Sequence, residues 1–102
     1  MPTAYVTAPP EAAERLARAL VEERLAACVN RVPCESTYRW EGEVVDDEEV
    51  ILLAKTAEGR APDLVARVEE LHPYDVPCIE RFDAADAADP FAAWVASSVD
   101  AE

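Results

Sequence analysis

Residues 26–56 constrain what this chain can fold into more than any other stretch. They read Ala26-Ala27-Cys28-Val29-Asn30-Arg31-Val32-Pro33, then Cys34 to Val45, then the acids Asp46-Asp47-Glu48-Glu49, then Val50-Ile51-Leu52-Leu53-Ala54-Lys55-Thr56. Val29, Val32, Thr37, Tyr38 and Trp40 are β-branched and aromatic residues that suit a pleated, half-buried surface. The uninterrupted apolar run Val50 to Ala54 is the pattern of a strand covered on both faces. Glu41-Gly42-Glu43 separates Trp40 from Val44, and Gly42 can take the positive φ that a tight reversal needs. These features predict two long strands joined as a hairpin. Such a hairpin outruns the core of a 102-residue domain. Its far end, with Tyr38 and Trp40, is expected to find cover in another subunit, because large exposed aromatics are costly.

The segments around the hairpin read as alternating strands and helices. Thr3 to Thr7 is a short first strand, and Ala8-Pro9-Pro10-Glu11 breaks it and opens a helix. Up to Leu25 the helical stripe is Ala13, Leu16, Ala17, Leu20 and Val21, with Glu11–Arg15 and Glu14–Arg18 spaced for i,i+4 pairing outside. After the break at Ala57 to Pro62, a second helix places Leu64, Val65, Val68 and Leu71 on one face, with Asp63 four residues before Arg67. Pro73 stops it near Leu71 or His72. Tyr74 to Pro77 reads as extended, and Cys78 to Phe82 as a fourth strand. Asp89 as N-cap and Pro90 as first residue open a last helix that buries Phe91, Trp94 and Val95. The order β-α-β-β-α-β followed by a helix predicts one α+β domain over residues 1–102, a ferredoxin-like antiparallel sheet with helices on one face.

Charge narrows the function classes. Twenty-two carboxylates against nine basic residues give −13. Such a surface repels nucleic acid and anionic membrane, since it cannot neutralise phosphates. It is also the composition expected of a protein adapted to high salt, where screening relieves self-repulsion. No stretch is long and apolar enough to span a membrane, and Met1 to Tyr5 lacks a basic leader region. Three cysteines, Cys28, Cys34 and Cys78, form no Cys-x-x-Cys pair, which favours a reducing, cytoplasmic setting.

No P-loop, glycine-rich fingerprint, His-Glu-x-x-His or Gly-x-Ser-x-Gly motif is present, and the single histidine, His72, leaves nucleophilic catalysis without a recognisable third partner. The chain is therefore not expected to be an enzyme. Five features keep two readings each. His72 is either a ligand for copper or zinc, or a helix-terminal residue satisfying the last carbonyls ahead of a proline-bracketed crossover. Cys28 is a soft ligand or a small buried hydrophobe. Asp46 to Glu49 attract cations or form a solvated stretch. Tyr38 and Trp40 stack on a ligand or pack in an interface. Lys55, the only lysine, binds an anionic ligand or pairs with a nearby acid.

Thr7-Ala8-Pro9, Leu25-Ala26-Ala27-Cys28-Val29-Asn30, Tyr38-Arg39-Trp40-Glu41-Gly42, Glu49 through Leu53 into Lys55-Thr56, His72 to Pro77, and Phe91 with Trp94 fall in order across nearly the whole chain. Together they resemble the CutA divalent-cation tolerance proteins. The resemblance implies a fold related to the signalling protein PII and a homotrimer in which the hairpin extends across its neighbour. It also implies a soluble protein linked to copper and other divalent cations, with no established reaction. A copper or zinc ion would be weakly bound, with His72 and Cys28 as candidate ligands. Val6 and Leu71 stand where parts of the family carry a ligating cysteine and a first histidine, so His72 alone is retained of that set. Tyr38, Trp40, Lys55 and Tyr74 are the candidate cleft and interface residues. The alternative is a PII-like regulatory module that takes a small anionic ligand or a partner protein in clefts between subunits.

Overall fold

In the computed structural model, which describes residues 1–100, the element order is β1 (Pro2–Ala8), α1 (Pro10–Glu22), β2 (Cys28–Trp40), β3 (Glu43–Lys55), α2 (Ala61–Leu71), β4 (Ile79–Asp83) and α3 (Asp89–Ser98). A short 3-10 turn, Glu58–Arg60, precedes α2. The four strands form one antiparallel sheet in the order β2-β3-β1-β4, with α1 and α2 packed on one face. This is the ferredoxin-like arrangement that the strand and helix order predicts.

Burial alternates along β1 and inner β3, so Ala4, Val6, Ala8, Leu52 and Ala54 face the helices. They meet Ala12, Ala13, Leu16, Ala17 and Leu20 of α1 and Leu64 and Val68 of α2. Each fully buried Leu or Val contributes roughly 1.5–3 kcal/mol. Val21, expected in the α1 stripe, is 42% exposed. The helix ends at Glu22 rather than near Leu25, because Arg24 turns left-handed at φ 59° and the amides of Leu25 and Ala26 both reach back to the Leu20 carbonyl. Of the two outer pairs expected on α1, Glu14–Arg18 forms at 3.8 Å. Arg67 does not pair with Asp63. It makes a two-pronged contact with Glu23 at the end of α1, at 2.9 and 3.1 Å, and so ties the two helices together.

The hairpin turns on Glu41 and Gly42, both at positive φ (51° and 83°), as a two-residue reversal of the type that matches strand twist. β1 pairs only with Val50 to Lys55 of β3. Beyond that the hairpin is a two-stranded ribbon, from Cys34↔Glu49 to Trp40↔Glu43, extending about 20 Å. The ribbon draws the molecule out to 45 × 26 × 19 Å. β2 is an edge strand throughout, with Pro33 in its middle.

The sheet face away from the helices is open. Ile51 and Leu53 on it are only half-buried, so β3 is not covered on both faces within one chain, as its apolar run suggested. Val32, Tyr38, Trp40 and Phe82 lie exposed on the same side, and the Phe82 ring stacks on Tyr5 with centroids 5.2 Å apart. Three expectations for the C-terminal half need correction. Asp89 is the first residue of α3, not its cap; Ala88 is the N-cap and no side chain caps it. Of the apolar residues expected to be buried by α3, only Val95 is, beside Val99 and Ala27. Phe91 and Trp94 stack on each other at 5.9 Å and stay exposed, because the end of the chain packs through Val95 and Val99, against Ala27, Met1 and Ala57. Pro73 to Val76 is a bend rather than an extended run, and β4 begins at Ile79.

Candidate functional site

The bend Pro73 to Val76 carries the chain from the end of α2 towards β4 and comes to lie beside the root of the ribbon. Between them is a cavity of about 660 Å³ on the open face of the sheet. Tyr5, Tyr38, Trp40 and Tyr74 give it aromatic walls, and Glu49 and Glu80 give it carboxylates.

Glu49 sits at the floor, 6% exposed. Its Oε2 accepts a hydrogen bond from the Tyr74 hydroxyl at 3.1 Å. Burial, then the hydrogen bond to Glu49, pushes the Tyr74 phenol well above the ordinary tyrosine range, so it stays protonated and donating. Tyr38 donates in the same way to Asp47 at 3.0 Å, and that bond raises its phenol too. Tyr5 is raised chiefly by burial. Two phenols aimed at two carboxylates fix the ring planes along the wall.

The acidic run thus divides. Asp46, Asp47 and Glu48 are solvated, as one of its two readings had it, whereas Glu49 turns inwards. Glu49 escaped the reading of the run as a block. The signal was present: counting back in twos from Leu53 and Ile51 puts Glu49 on the same face.

His72 is buried just outside the cavity, at 8% exposure. Its Nδ1 accepts from the Tyr74 amide at 3.2 Å, and its Nε2 lies 2.7 Å from the Thr7 carbonyl oxygen. An accepting Nδ1 assigns the ring proton to Nε2, which donates to Thr7. Both nitrogens are spent on backbone, one across on β1 and one in the bend, rather than on the last carbonyls of α2. The imidazole is the clasp that holds the bend in place, with the Tyr74 ring packed on it at 4.8 Å.

Cys28 is half-buried at the start of β2, opposite Lys55. His72 touches Thr7, which pairs with Ile51. Four residues of β3 separate those two levels, about 13 Å, too far for one ion to join them. Among the described residues, no three His, Cys, Asp or Glu side chains converge as a metal site. The residues present do not fit a closed copper or zinc centre. Lys55 donates to Asn30 Oδ1 at 2.9 Å, an amide rather than an acid, and does not line the cavity. The structure therefore brings together Tyr38, Trp40 and Tyr74 around the cavity, sets His72 behind Tyr74 and outside the lining, and leaves Cys28 and Lys55 apart from it.

With this geometry the comparisons are decisive. Residues 3–98 match the family described as CutA1 divalent ion tolerance protein. The chain belongs to the CutA family. It is 51% identical over 86 residues to the divalent-cation tolerance protein CutA of Thermus thermophilus, covering 83% of this chain and 84% of that one. It is 41% identical over 92 residues to the CutA of Pyrococcus horikoshii, covering 89% and 90%. The apo structure of a PII-like CutA from Nostoc superposes with a TM-score of 0.94 at 37% identity, covering 97% of each chain. The CutA fold and its PII-like character are thus those that the sequence resemblance implied.

Proposed function

We propose that this CutA-family chain works in the cytoplasm as a homotrimeric, non-enzymatic binding module in the response to divalent cations such as copper. The observation that carries the reading is the uncovered sheet face. Ile51, Leu53, Val32 and Phe82 and, further out, Tyr38 and Trp40 make an apolar strip along it that is broken by Ser36, Asp47 and Glu49, and the outer ribbon has no cover of its own within the chain. A free two-stranded ribbon is marginal in water, whereas copies that lay their ribbons over one another's open faces bury the strip and support the ribbon together.

Divalent cations are drawn to the −13 surface and held weakly there, since no donors converge on one ion among the described residues. Sedimentation at micromolar concentration is expected to give the mass of three chains; the mass of one chain would overturn the assembly. Calorimetric titration with Cu²⁺ and Zn²⁺ is expected to give weak isotherms that match between wild type and His72→Ala. A tight isotherm lost in His72→Ala would show that the clasp opens to bind metal.

The alternative of an anionic ligand held near Lys55 receives no support from the geometry. Lys55 is bonded to Asn30, and no basic side chain lines the cavity.

A further inference from the structure

We draw no further inference here: the strongest candidate away from the open sheet face, the groove between α1 and the edge strand β2 lined by Arg18, Val21, Val29 and Arg31, carries nothing, because nothing in the structure shows what covers it.

Discussion

The two halves of the hairpin share the same strands and the same antiparallel ladder, yet they are different materials. In the inner half, Cys28 to Pro33 against Val50 to Lys55, Leu52 and Ala54 are fully buried under the helices. In the outer half, Cys34 to Trp40 against Glu43 to Glu49, Val44 is 63% exposed and Trp40 is 44% exposed. Charge divides them further. The inner half carries Arg31 and Lys55 and no acid, whereas the outer half sets six carboxylates against Arg39. Backbone pairing continues unchanged across the boundary at Glu49, so pairing does not account for the difference. What a strand pair has on its faces decides whether it is a core or an appendage.

The comparison can be broken by mutation. Leu52→Ala, under the helices, is expected to be the most damaging change, at about 2–5 kcal/mol from lost burial and the cavity left behind. Denaturant unfolding checks it, and a cost as small as that of an exposed residue would erase the distinction. Trp40→Ala comes next. It removes an aromatic anchor from the outer half and should cost about 2 kcal/mol of association while sparing the fold of each chain. The expected readout is dissociation in sedimentation at micromolar concentration with unchanged far-UV circular dichroism.

Salt sharpens the charge contrast. Melting temperature is expected to rise from low to molar KCl as screening relieves the outer carboxylates, and neutralising Asp46 and Glu48 to Asn and Gln should shrink that rise. Equal stability at both salt levels would refute the salt-adapted reading of the composition. The smallest effect lies outside the hairpin, at two exposed ion pairs. The Arg67 and Arg81 hydrogen bonds hold Glu23 and Glu58 below the ordinary glutamate value of 4.5. A depressed carboxylate stabilises the fold above its unfolded pKa and loses that contribution as pH falls through its folded pKa. The gap in melting temperature between wild type and Glu58→Gln should therefore be present at pH 7 and close on acidification below 4.5. A gap unchanged at acid pH would deny the Glu58–Arg81 pair its role.

Much of the fold was legible because periodicity reports one chain's interior well. The alternation in β1 and the stripe Leu16, Ala17, Leu20 face a core that is complete within the chain. Sequence reasoning went astray where an apolar residue answers to something outside that core. Val50 to Ala54 reads as doubly covered, and Phe91 and Trp94 read as buried, yet the single chain leaves Ile51, Leu53 and both aromatics partly or largely open. The candidate site was legible in its aromatics but not in its acid or its clasp. Glu49 was masked by three solvated acids beside it, and the two backbone partners of His72 come from β1 and the bend. Arg67 chose Glu23, 44 positions away, over Asp63 on its own helix, a choice that spacing alone does not encode.

Pro33 interrupts the free margin of β2 at the point where the hairpin leaves the globule. A long unguarded margin would serve as a template on which further chains add strand by strand into a fibre. The absent amide of Pro33, flanked by Arg31 and Glu35, spoils that template. Pairing along the margin is thereby discouraged while the broad side stays available for contact, so the length of the arm does not by itself invite filaments.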